Sequence, residues 1–112
     1  MQRRTLKTLE DIRDAAAFIL AETGSESLVS YRQNRLLRQA VERNFEIIGE
    51  AIRRLRDHDP EVASEIGESS RIISFRNTLI HGYDLIDDAL VWDVVENKLP
   101  ALLHEVEALM QS

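Results

Sequence analysis

Apolar residues recur along this chain at intervals of three and four and nowhere alternate strictly, so they fall on one side of successive helices and form no strand pattern. Leu6, Leu9, Ile12, Ala16 and Ile19 or Leu20 make the first stripe. With Thr5 or Thr8 as N-cap and Gly24 as C-cap, they predict a helix over about residues 6 to 22, followed by the short polar loop Thr23-Gly24-Ser25-Glu26-Ser27. The longest helical pattern runs from about Tyr31 to Arg56. Its main stripe is Leu37, Val41, Phe45, Ile48, Ile52 and Leu55, widened by Leu36, Ala40, Ile47 and Ala51 enough to meet more than one neighbour.

Asp57-His58-Asp59-Pro60 ends that helix, because a residue before proline is pushed out of helical geometry while the proline itself can open a new turn. A short helix from Pro60 to Ile66, stopped by Gly67, is expected next. Ser69 or Ser70 then caps a third principal helix carrying Ile72, Ile73, Phe75, Leu79 and Ile80 to about His81, with Gly82 as terminator. Asp87 is the expected N-cap of the last pattern, whose buried face draws on Leu90 or Val91, Val94 or Val95, Leu99, Leu102 or Leu103, Val106 and Leu109 or Met110. Pro100 inside it predicts a kink or two abutting helices. The pattern as a whole predicts an all-α, four- to five-helix up-and-down bundle forming one domain over residues 1–112.

Composition narrows the chemistry. At 112 residues and 44% apolar content the chain suits one cooperative unit with a real core. It has no cysteine, which removes disulfides and thiolate metal sites and makes a reducing, intracellular compartment natural. Its three histidines, His58, His81 and His104, lack metal-ligand spacing, so neither a metal nor a cofactor is expected, and His58 reads as a solvated or capping residue. Acidic residues from Glu10 onward interrupt the basic N-terminus, and no apolar run reaches about 18 residues; a soluble, cytoplasmic protein without a membrane span is expected.

Net charge is -6, which argues against indiscriminate coating of nucleic acid. Its distribution changes the picture: residues 1 to 56 hold 11 basic against 8 acidic side chains, and residues 57 to 112 hold 3 against 12. Arg32, Arg35 and Arg38 fall at helical spacing on the basic half and, with Arg43, form a candidate RNA-facing ridge, since a guanidinium grips phosphate in a forked fashion. The same arginines could serve helix salt bridges with Glu42, Glu46 and Glu50.

The unusual chemistry lies in Arg76-Asn77-Thr78-Leu79-Ile80-His81-Gly82-Tyr83-Asp84, where a cation, an amide, an imidazole and a phenol interrupt an apolar run. That mixture suits binding and breakage of a phosphodiester. Singly, each group also has an ordinary structural use: Arg76 could pair with Glu50 or another acid, His81 could satisfy helix-end carbonyls, and Tyr83 could pack in the core. On an ideal helix Arg76 and His81 lie about 140° apart, so they do not point the same way. Arg76 must reach round, the last turn must distort, or two chains must each contribute to the site.

The Arg-x4-His-x-Tyr spacing of Arg76, His81 and Tyr83 resembles the signature of HepT-like toxins of the HEPN superfamily. Glu42-Arg43-Asn44, Ile48-Gly49-Glu50-Ala51, Asn77, Asp84, Trp92 and Leu99-Pro100 extend the resemblance over nearly the whole chain. It implies a small helical endoribonuclease, working without metal as a homodimer, with Arg76 and His81 catalytic, Asn77 and Glu50 in support, and a 2',3'-cyclic phosphate product. It further implies a cognate minimal nucleotidyltransferase antitoxin that transfers AMP to Tyr83. The alternative it carries is a non-catalytic HEPN helical module assisting a partner nucleotidyltransferase.

Overall fold

The computed structural model describes every residue except Tyr83 and Leu85. Its described residues form seven helices and no strand: α1 (Arg3–Thr23), α2 (Leu28–Gln33), α3 (Arg35–His58), α4 (Pro60–Ala63), α5 (Ser69–His81), α6 (Asp88–Asn97) and α7 (Leu99–Met110). The long helices α1 and α3 form the central pair, with α5 laid on α3 and α7 on α1, while the short helices fill the connections. The result is the expected all-α bundle, elaborated by short helices.

The core follows the predicted stripes. Leu9, Ile12, Ala16 and Ile19 of α1 meet Leu37, Val41, Phe45, Ile48, Ile52 and Leu55 of α3, and Val91, Val95, Leu99, Leu102 and Val106 close the far side. Each large aliphatic side chain so buried contributes about 1.5–3 kcal/mol relative to exposure. Two aromatic contacts tie the layers together. Tyr31 packs on Trp92 with ring centroids 5.2 Å apart. Phe45 of α3 meets Phe75 of α5 edge to face, also at 5.2 Å.

Several boundaries depart from the sequence expectation, each for a local reason. The helix expected to run unbroken from Tyr31 is two helices that meet at Asn34, whose backbone is extended at φ -114° and ψ 95°. Asn34 closes α2 by donating its N–H to the Tyr31 carbonyl (3.1 Å) and opens α3 by accepting from the Leu37 N–H through its side chain (3.0 Å). The break turns Leu36 out, leaving it 83% exposed rather than part of the buried stripe. Helix α2 also starts before Tyr31, at Leu28, where Ser27 and Ser30 form a reciprocal capping box.

Thr5 and Thr8 do not cap α1, which begins earlier behind Gln2. Thr5 is instead buried, and its hydroxyl donates to Asp59 across the molecule at 2.7 Å. Ser69 likewise does not cap α5; its hydroxyl reaches back to the carbonyls of Ala63 and Ile66. Asp87 caps α6 as expected, accepting from the Ala89 N–H at 2.9 Å. The final helical pattern divides at Lys98 into the two abutting helices that Pro100 predicts. His58 is neither solvated nor capping: both ring nitrogens are buried and lack a partner among the described residues. No helix among the described residues is long and apolar enough to cross a membrane.

Candidate active site

Helix α5 presents the motif. Phe75 anchors it on Phe45, Leu79 buries one turn later, and Gly82 ends it by donating its N–H to the Thr78 carbonyl at 2.9 Å. A side chain at Gly82 would start 2.9 Å from that same carbonyl oxygen, so glycine lets the chain leave the helix directly after His81. Tyr83, the expected modification site, lies outside the described residues.

Arg76 turns inward, toward α3. Only 22% of its side chain is exposed, and its Nη2 lies 2.9 Å from Oε2 of Glu50. Nη1 donates to Oδ1 of Asn77 at 2.8 Å. The pairing of Arg76 with Glu50 that the sequence left open is therefore realised. A guanidinium has five N–H donors, so each terminal nitrogen keeps one N–H for a further acceptor. Asn77 thus steadies the Arg76 guanidinium.

Glu50 is the hub. Arg53 reaches both of its oxygens, with Nη2 at 2.9 Å from Oε1 and Nε at 3.2 Å from Oε2, and Arg54 Nε approaches Oε1 at 3.1 Å. Hydrogen bonds from Arg53, joined by those from Arg54 and the charges of Arg53 and Arg76, outweigh the effect of burial and hold the Glu50 carboxyl down at about 2, against an ordinary 4.5. Three cations surround this one carboxylate, and Asp57 beside Arg53 (3.9 Å), with Asp11 and Glu46 in the adjoining cavity, offsets their charge. Arg54, Arg76, Glu50 and Ile80 contribute to the lining of a cavity of about 260 Å³ between α1, α3 and α5.

His81 stands exposed at the end of α5, and no hydrogen bond or ion pair joins it to Arg76 or Glu50 among the described residues. The 140° offset expected of an ideal helix thus persists without a distorted last turn.

The ridge on the basic half is less uniform than helical spacing implies. The break at Asn34 separates Arg32 from Arg35 and Arg38, and the Arg38 guanidinium donates to the Arg32 carbonyl across it. Arg43 pairs with Glu46 at 3.3 Å. Arg32 and Arg35 remain exposed.

One participant, Gly49, enters the sequence only as part of the Ile48-Gly49-Glu50-Ala51 resemblance, with no role of its own. Gly49, buried in the middle of α3, lies directly beneath Arg76: a Cβ built there would stand 2.2 Å from Arg76 Cβ and 2.7 Å from its Cγ. The available signal was a glycine inside an otherwise strong helix, adjacent to the glutamate already singled out.

Comparison with known proteins converges on one family. The model for "Ribonuclease HepT-like" proteins matches residues 7–109. The chain is 33% identical over 108 residues to "Putative RNase MJ1380" of Methanocaldococcus jannaschii, covering 96% of this chain and 98% of that one. It is 31% identical over 111 residues to "Probable ribonuclease HepT" of Thermococcus cleftensis, covering 97% and 98%. No solved structure matches. With the family model spanning nearly the whole sequence, the chain belongs to the HepT-like ribonuclease family of the HEPN superfamily.

Proposed function

We propose that this protein is a metal-independent endoribonuclease toxin that acts as a homodimer in the cytoplasm. The observation that carries the reading is Arg76 and His81 at the motif spacing on one helix, in a chain of a ribonuclease family. An imidazole with an ordinary value of about 6.5 can take a proton near neutrality. In this mechanism His81 removes the proton of an RNA 2'-hydroxyl, whose oxygen then attacks the neighbouring phosphorus. The P–O5' bond breaks, the departing oxygen takes up a proton, and a 2',3'-cyclic phosphate remains. Arg76, steadied by Glu50 and Asn77, directs its remaining N–H groups at the phosphoryl oxygens as charge builds there.

The separation of Arg76 from His81 favours a composite site in which two chains each supply one of the pair. A homodimer also pools two sets of exposed arginines, including Arg32 and Arg35, for the RNA backbone. Neutralisation by a cognate nucleotidyltransferase fits the same site: AMP on Tyr83 would set a bulky phosphodiester anion two residues from His81, competing with RNA phosphate by charge and bulk.

The test is cleavage of RNA in EDTA by wild type, Arg76→Ala and His81→Ala. Cleavage by wild type alone supports the reading. Binding without cleavage by all three would favour the alternative of a helical binding module, which draws on the engagement of Arg76 with Glu50 and Asn77. For the partner, Tyr83→Phe should keep its activity and resist silencing; a variant still silenced, with no AMP on the protein, would remove the adenylylation step.

A further inference from the structure

Glycine in the interior of a helix is unfavourable relative to alanine, so Gly49 in the middle of the 24-residue α3 calls for a compensating contact. Its surroundings identify one. The nearest atoms to a Cβ at this position are Arg76 Cβ at 2.2 Å and Arg76 Cγ at 2.7 Å. The next is the Ile72 carbonyl oxygen at 3.4 Å, an ordinary van der Waals distance. Here the close approach is to the aliphatic stem of a single arginine.

We propose that Gly49 is a positioning residue for Arg76: its missing side chain lets the Arg76 stem lie on the α3 backbone, which delivers the guanidinium to the adjacent Glu50. Gly49 and Glu50, consecutive on α3, thus form a two-part seat, one for the stem and one for the head. The competition at Glu50 makes the seat necessary. Arg53 and Arg54 lie on the same helix as Glu50 and already contact both of its oxygens, so an Arg76 displaced outward would leave a carboxylate satisfied without it. Only a stem held against Gly49 keeps Arg76 Nη2 at 2.9 Å from Oε2, with its Nε buried and its two free N–H groups in fixed directions. The catalytic consequence rests on the ribonuclease reading; the seat itself does not.

The experiment is Gly49→Ala, read by RNA cleavage kinetics and by the Arg76 Nε–H resonance in nitrogen-proton NMR, assigned by its absence in Arg76→Lys. Since displacement of a positioned group by about 1 Å can cost about 100-fold, kcat should fall by roughly that factor while KM stays within about threefold. The Nε–H, shielded in wild type, should exchange rapidly with water in the variant. An unchanged kcat with retained shielding overturns the proposal, as does a lost kcat with the shielding intact. If Gly49→Ala does not fold, Arg76→Gly is added to remove the stem that the new methyl meets. Recovery of folding in the double variant supports the seat, and continued failure to fold places the clash elsewhere and overturns it. If wild type proves to have no ribonuclease activity, that reading falls, while the NMR signal and the double variant still decide the seat.

Discussion

A carboxylate ringed by three guanidiniums responds to acid differently from a surface glutamate. Glu50 is held at about 2 against 4.5, so its folded state binds the proton less readily than the unfolded chain does. The stability this confers is complete above about pH 4.5 and is lost as pH falls toward 2. Glu50→Gln should therefore flatten the acid limb of a stability-against-pH curve between those values; an unchanged limb would show that the carboxylate is not the hub. On the proposed function the same variant should lower kcat about tenfold or more, because Arg76 loses the charge that aims it. Tyr31 poses the opposite case. Burial, with the charges of Glu42 and Asp88, pushes its hydroxyl well above the usual phenol value, and that hydroxyl has no partner among the described residues. Tyr31→Phe should leave neutral-pH stability unchanged or raise it by about 1 kcal/mol in urea unfolding. It should also soften the loss of stability above about pH 10, where only the unfolded tyrosine ionises freely. At this scale Arg76, Asn77 and Glu50 were legible because the resemblance marks them and their partners lie one residue or one helix away. The role of Gly49 was not, because a glycine's contact partner is set by tertiary approach and leaves no local pattern.

Among the elements, the amphipathic stripes of α1, α3, α6 and α7 could be read directly, since burial repeats at the helical period. The α2–α3 junction could not. Tyr31 and Leu37 are both buried, so the apolar pattern continues across Asn34 while the backbone does not. An asparagine that ends one helix and caps the next carries the break. Asn34→Ala should cost about 1 kcal/mol in denaturant unfolding through loss of the α3 cap. Leu36→Glu, at a position the unbroken helix would have buried, should change stability by less than about 0.5 kcal/mol. A large loss at Leu36 would restore the continuous helix. Helix α5 departs from its pattern in another way: only Leu79 is buried, and Ile80 is 37% exposed, because α5 packs principally on α3.

For the whole molecule, no hydrogen bond or ion pair joins Arg76 to His81 within one chain among the described residues, and the first and second halves of the sequence differ sharply in charge. If the site is shared between protomers, Arg76→Ala and His81→Ala should each be inactive alone yet regain part of the activity when mixed and allowed to exchange subunits. Mixtures that stay inactive, with exchange shown by native mass spectrometry, would return the site to a single chain. The helical bundle was legible from spacing alone, whereas assembly depends on surfaces that no periodicity records. The chemistry of the cut ends is the most direct measure of the proposed reaction. RNA incubated with wild-type protein in EDTA should yield fragments ending in 2',3'-cyclic phosphate, and Arg76→Ala and His81→Ala should yield none; fragments ending in 3'-hydroxyl, or equal cleavage by all three proteins, would contradict it.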